Sequence, residues 1–540
     1  MSKNVKILLI TLSLCLVGIL SFGVASAAER PFRTNWSWPT YIDPAVGSDF
    51  SSSVAFVNLY DTLFYPDIKG DPQSHIAESW EVSADGLVWT VHLRQGIKFH
   101  DGTELTAEDV KFSMDRLTTI GEGYAYLFKV IKNTEVLDKY TVVFHLNQPF
   151  GPFETVLYRF YILNKDLVMA NIERPGPYSD MGDYGKQYLL THDAGSGPYI
   201  VKEFPLEEYL LMTINSNYWK SIDSNAPDEY KMIGTCEPVT VRAAMSRREI
   251  EIADQWQPVE ALDALEKIND VKIGAFSSGS SHYYMLNTKK PPTDDVHFRR
   301  AMAWALDYKT AINKIFPDCI QSRGPVNQSI PGADPTIFQY QRNLDKAMAE
   351  LKQSKYYNQL DEYPVVVAFP SVPADNEKMA LLFMSNMDDI GIKVETLKVP
   401  WASIIEIMAS EETSPHVAGV NVAPHYPEAG SLLESRYKSD SVATWEQNEW
   451  LLDSTFDAMI EDALETVNRE ERFVKYSEIQ QYIMELCPTL FIFDQMEKHP
   501  YQAGYIDWPA ARGEVIPVMG YNFAGRFIKV YPDRRAELLK

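Results

Sequence analysis

Hydrophobic positions fall into three patterns along the chain. A predominantly apolar run from Ile7 to Val24 follows Lys3 and Lys6 and ends at Ala25-Ser26-Ala27, small residues of the kind a signal peptidase reads. About 18 apolar residues closed by such a site predict a leader cleaved near Ala27 rather than a membrane anchor. Cys15 follows Leu14, where a lipoprotein signal wants a small residue, so a soluble exported chain is expected. The second pattern is alternation. Leu87, Trp89, Val91 and Leu93 are interleaved with Val88, Thr90 and His92, the period of a half-buried strand. Ala84-Asp85-Gly86, Gln95-Gly96 and Asp101-Gly102 supply turns around it, predicting a hairpin. Helical spacing is the third. Val110, Met114 and Leu117 follow a capping box of Thr106 and Asp109, and Phe298, Ala301, Met302, Ala305 and Leu306 form one stripe. Phe456, Met459, Ile460, Ala463, Leu464 and Val467 form another, with Thr455 as its cap.

Strand-like runs such as Val365 to Phe369 alternate with these helices, so the fold class is α/β. With 540 residues and 45% hydrophobic composition the chain can bury more than one core, and no repeat or low-complexity linker divides it.

Charge narrows the partners. The formal net charge is -24, and a leader carrying two lysines and no acid makes the remainder more acidic still. Nucleic-acid binding rests on basic patches, so it is not expected, and anionic membrane surfaces are disfavoured. Cys236, Cys319 and Cys487 remain after cleavage, an odd number whose pairing the sequence does not assign. No zinc spacing, HExxH, nucleophile elbow, P-loop or dinucleotide fingerprint is present. No metal, cofactor or catalytic residue is therefore expected.

Residues 77 to 117 closely resemble the family 5 extracellular solute-binding proteins, the dipeptide, oligopeptide and nickel receptors that serve ABC importers. The resemblance continues in order. Asn58-Leu59-Tyr60-Asp61-Thr62-Leu63, Gly195-Ser196-Gly197-Pro198-Tyr199 and Asn215-Ser216-Asn217-Tyr218-Trp219 are similar to family stations. So are Tyr284-Met285-Leu286-Asn287, residues 298 to 307, and Arg469 to Gln480 with Cys487-Pro488. Where the family usually has Gly and Asp, this chain has Arg248 and Glu251, beside a predicted strand over 249 to 254.

The resemblance implies a two-lobed periplasmic binding protein of type II, similar to cluster C, with an additional domain. By motif, lobe I takes 28–77, 190–286 and 508–540, the additional domain 78–189, and lobe II 287–507. It implies a monomeric periplasmic receptor that closes by a hinge on a small solute and presents it to ABC permease subunits. The solute is a peptide or another polar molecule such as an oligosaccharide, an opine or a metal chelate. A sensory or chaperone-like binding protein is the alternative of another class.

The peptide receptors' cleft motif, whose Asp pairs with the ligand's α-amino group, corresponds to Asn421-Val422-Ala423-Pro424-His425-Tyr426-Pro427-Glu428. His425 takes the place of that Asp, and a neutral imidazole cannot offset the desolvation of a buried ammonium, unless Glu428 takes over. Trp401 matches a cleft-lining Trp of the family. Trp256 and Trp38 are candidates for the cleft or for the core, as is Tyr283, beside His282 at the expected hinge, for ligand contact or hinge packing. With Asn421 and Tyr426 these complete the expected ligand-binding set.

Overall fold

The computed structural model describes residues 29–540 apart from Ser37, Thr235, Cys236, Val372 and Ala374. The expected leader and Cys236 lie outside the described residues, while Cys319 and Cys487 are free thiols.

Two mixed sheets and one antiparallel sheet carry the architecture. The first runs Tyr199–Glu203, Tyr209–Ile214, Glu229–Ile233 and Pro31–Thr34, the last two strands parallel. It is joined to a second ribbon, Val271–Phe276 with Glu497–Gln502, by a single residue. Ile252 bridges Thr34 on one side and Tyr501 on the other. The strand predicted over 249–254 is thus reduced to one bridging residue. The segment enters through Arg248 in the left-handed region (φ 59°) and turns Glu251 inward, where Arg33 and Tyr505 Oη donate to it, so alternation is broken at once.

The second sheet has the order Ile320–Gln321, Thr489–Asp494, Ser281–Leu286, Val417–Val422, Val365–Pro370, Val394–Val399. Two of its inner strands, Ser281–Leu286 and Thr489–Asp494, are buried on both faces, as expected of strands covered on either side. The chain passes between the two sheets twice, at 277–280 and at 495–496, and the passages lie side by side, with the Gln495 amide donating to the Ser280 carbonyl at 2.8 Å. The motif-based boundaries put these crossings at 286/287 and 507/508. Strand pairing moves them because Ser281–Leu286 bonds to Val417–Val422, whereas Glu497–Gln502 bonds to Val271–Phe276.

The antiparallel sheet is Ala77–Val82, Val88–Leu93, Thr141–Leu146 and Ile131–Asp138. Trp89, Val91 and Leu93 are buried, as their alternation predicts, and Gly86, Gly96 and Gly102 all adopt positive φ at the turns. The following helix, Ala107–Ile120, opens on the capping box expected of Thr106 and Asp109: the Thr106 side chain faces the Asp109 amide, and Asp109 Oδ2 reaches back to accept the Thr106 amide at 2.9 Å, and its hydroxyl at the same distance. The helix Ser454–Glu465 is capped by Asp453 rather than Thr455, since a carboxylate one residue earlier reaches the amides of Thr455 and Phe456 at 3.0 and 3.1 Å.

One continuous apolar core joins the first sheet, the antiparallel sheet and the helices Ala429–Tyr437 and Ser454–Glu465. A second lies between the Ser281–Leu286 sheet and the helices Val296–Ala305 and Asp375–Asp388. The additional domain therefore shares its core with its neighbours.

Candidate functional site

The loop after strand Val417–Val422 carries the predicted cleft residues and is gripped from across the molecule. The Ser431 hydroxyl accepts the His425 amide at 2.7 Å, fixing the loop against the start of helix Ala429–Tyr437. From the antiparallel-sheet domain, Tyr126 places its ring edge-on to the His425 imidazole at 5.1 Å, and Arg159 Nε donates to the His425 carbonyl at 3.4 Å.

His425 Nε2 lies 3.1 Å from Glu446 Oε1. Burial alone would raise the Glu446 carboxyl, but Arg436, whose Nη1 is 3.7 Å from Oε2, and the hydrogen bond to His425 outweigh it and hold the group at about 2. A fixed negative charge is therefore present beside His425, supplied by a different residue. The Arg436 guanidinium stacks on Trp445 at 4.8 Å, and Trp401 meets the same indole edge-on at 5.0 Å. Trp401 is 41% exposed.

Glu428 does not take over as the amine partner. It is buried, and Arg472 donates to its Oε1 through Nε at 3.0 Å and Nη2 at 2.7 Å. Tyr426 is buried against Phe150 and lies behind the loop. Asn421 is exposed on its strand, and its Oδ1 lies 2.7 Å from His282 Nδ1. That contact makes Nδ1 the donor, and burial, only partly offset by it, pushes the imidazole down to about 4. Tyr283 is wholly buried and its hydroxyl donates to the Pro325 carbonyl, so it packs the crossing between sheets.

Trp256 and Trp38 belong to a separate group. Trp256 is 49% exposed and touches Phe50 edge-on at 5.9 Å, while Trp38 is half-buried over Gly234, where a Cβ would meet its ring at 2.1 Å. The structure thus gathers His425 and Trp401 around Trp445 and Glu446, places Trp256 and Trp38 on the first sheet's side, and takes Tyr283 and Tyr426 into the interior. Sequence reasoning missed Glu446, Arg436, Trp445, Tyr126 and Arg159. Their only signal is a Trp-Glu pair in the polar stretch 439–448 and a cation inside the otherwise apolar run Leu157 to Leu163. Among the described residues no group of three or more His, Cys, Asp or Glu is gathered in a way that could hold a metal ion.

The model of bacterial extracellular solute-binding proteins, family 5, matches residues 71–443. The chain belongs to this family. It is a substrate-binding receptor of the kind that serves ABC importers, built on the two-lobed α/β fold. A family 5 relative from Escherichia coli K12, the probable D,D-dipeptide-binding periplasmic protein DdpA, is 29% identical over 468 residues, covering 85% of this chain and 87% of its own. Among solved structures, CtaP of Listeria monocytogenes superposes with a TM-score of 0.80 at 20% identity, covering 93% of this chain and 99% of its own. DppA of Helicobacter pylori, in complex with the peptide STSA, gives 0.74 at 22% identity, covering 93% and 98%. Among the described residues no helix is long and apolar enough to cross a membrane.

Proposed function

We propose that this receptor captures a short peptide through its free amino terminus, with the family's carboxylate moved from position 425 to Glu446. The ionised Glu446 carboxylate, 3.1 Å from His425 Nε2 and partly open to solvent, carries this reading. An ammonium leaving water needs a fixed charge and acceptors, and a carboxylate oriented by an imidazole supplies both. The dipeptide named for the E. coli relative and the tetrapeptide bound by the H. pylori protein support the same ligand class. The exposed Trp401 face suits an adjoining side chain. The working cycle follows from the two crossings at 277–280 and 495–496. Each sheet moves as a lobe about them, the ligand touches both lobes only when they are closed, and a monomer in the periplasm, freed of its leader near Ala27, presents that form to the permease.

Calorimetry on the mature protein with free dipeptides, D-Ala-D-Ala among them, and their N-acetyl forms tests the amine site. Free amines should bind at least about tenfold tighter, and Glu446→Gln should erase the difference. Equal binding of the acetylated peptides, or preferred binding of an oligosaccharide, would overturn the reading.

A further inference from the structure

Away from the His425 loop, a lysine, a histidine and an aspartate stand in line. Lys220 is half-buried in the loop between strands Tyr209–Ile214 and Glu229–Ile233. Its Nζ has one hydrogen-bond partner among the described residues, Nδ1 of His75, at 2.7 Å. His75 Nε2 lies 2.8 Å from Asp61 Oδ1, and both of these side chains are buried. Asp61 also accepts from Tyr218 Oη at 2.8 Å and from Trp219 Nε1 and Ser196 Oγ at 3.0 Å each. Burial would raise its carboxyl, but His75, Arg526 and these hydrogen bonds outweigh it and hold the group at about 2. An ionised carboxylate only accepts, so Nε2 carries the ring proton, Nδ1 is an acceptor, and Lys220 donates to it. This is the geometry in which a buried carboxylate orients a base against a nucleophile.

The charges around the amine are mostly positive. Arg94 is fixed by Nε donating to the His75 carbonyl at 2.9 Å and Nη2 to Ser74 Oγ at 2.6 Å, and the exposed Glu78 lies 3.9 Å from it. Arg526 is buried, donates from Nη1 to Tyr218 Oη at 2.6 Å and stacks on Tyr65 at 4.5 Å. Lys220 itself lies over the Trp219 ring at 4.7 Å. Burial, then Arg526 and Arg94, lower its ammonium to about 8, with Asp61 opposing them. About a tenth of the amine is then neutral at pH 7, against less than about one part in a thousand for an ordinary lysine.

We infer that Lys220 is a modification site at which carbon dioxide adds reversibly to Nζ to give a carbamate. The surrounding charge selects this adduct. An aldehyde would leave a cationic iminium, opposed by the same arginines that disfavour the ammonium, and an acyl donor would leave a neutral amide that gains nothing from them. A carbamate is an anion, and the arginines favour it. In the addition the neutral Nζ attacks the carbon of CO2, the N–C bond forms, one C–O π pair passes to oxygen, and the proton displaced from nitrogen goes to His75 Nδ1. Beside the ammonium, burial with Arg526 and Lys220 keeps that imidazole neutral, at about 4, with Asp61 only partly offsetting them. Beside a carbamate it stands between two anions, and its protonated form is paired on both sides. The inference does not rest on the amine site proposed above.

To test it, the mature protein is equilibrated with 13C-labelled bicarbonate and carbon dioxide at pH 8, carbamates are trapped by O-ethylation with triethyloxonium, and modified peptides are read by mass spectrometry. Lys220 should carry the trapped label at least about tenfold above every other lysine, as its larger neutral fraction requires. Lys220→Arg should remove the label from this position. His75→Gln keeps an acceptor but cannot take the proton, and should cut occupancy about tenfold through the lost ion pair. Labelling at Lys220 no greater than at exposed lysines overturns the inference, and so does undiminished occupancy in His75→Gln. Should that variant fail to fold, competitive labelling of wild type with acetic anhydride across a pH series decides. Lys220 should titrate well below the other lysines, and a Lys220 that titrates with them overturns the inference.

Discussion

At residue 425 the question is where the negative charge resides. His425 and Glu446 act as one unit, so His425→Asp alone would set two carboxylates side by side and drive one toward protonation rather than double the charge. Moving the charge should succeed where adding it fails. Glu446→Gln is expected to lose about tenfold in affinity for a free dipeptide, and the double variant His425→Asp/Glu446→Gln to regain most of it. A double variant as weak as the single one would place the amine elsewhere. A second residue, His282, sets a pH dependence. Its imidazole is held at about 4 against the usual 6.5, so the unfolded chain takes up a proton first. Stability is complete above pH 6.5 and drains away as pH falls toward 4, by up to about 3 kcal/mol. Denaturant melts of wild type and His282→Gln at pH 7 and 4.5 should reveal a smaller loss in the variant. Some slope will remain, because burial also lowers His75 and His416 to about 4.

Elements of this fold end where a side chain captures the orphan amides, and two of them can be read out separately. Asp453→Ala should cost about 1 kcal/mol, a lower Tm with unchanged peptide affinity, because the helix Ser454–Glu465 starts on that carboxylate and not on Thr455. A loss confined to affinity would contradict that role. Arg248 shows the opposite economy. It occupies a left-handed conformation that favours Gly, and is held there by Gln502 Oε1 and by the Asn269 carbonyl at 3.1 Å. The element it introduces shrinks to the bridge at Ile252, which stitches the first sheet to the ribbon.

At the scale of the whole molecule, the segments 71–159 meet the segments 425–469 along a seam. Gly151 donates its amide to the Leu464 carbonyl at 2.7 Å, Asp71 pairs with Arg469, and Arg159 reaches the His425 loop. The seam is narrowest at Gly151, where an added Cβ would lie 2.2 Å from the Thr466 carbonyl oxygen and 2.5 Å from Arg472 Nη1. Gly151→Ala should therefore hold the lobes apart. Small-angle scattering should give a larger radius of gyration with ligand present, and calorimetry a weaker affinity; a variant as compact and as tight as wild type would mean that the seam opens without consequence. Asp71→Asn removes only a half-exposed pair and should shift the open population by less than about 1 kcal/mol.

Local pattern alone determined the hairpin with its three glycine turns, the helix stripes, and the family, because periodicity, positive-φ glycines and motif order are properties of neighbouring residues. It placed His425 and Trp401 at the cleft on resemblance, and the geometry brings them together around Trp445. What it could not supply was the company those residues keep. Glu446 stands 21 residues beyond His425, and Arg159 266 residues before it. No spacing rule links such positions. Only the strand order, the two crossings and the docking of the additional domain decide that a carboxylate stands beside an imidazole and a cation behind it. That charge arrangement arises from tertiary packing because the charges that form it come from segments far apart in the chain.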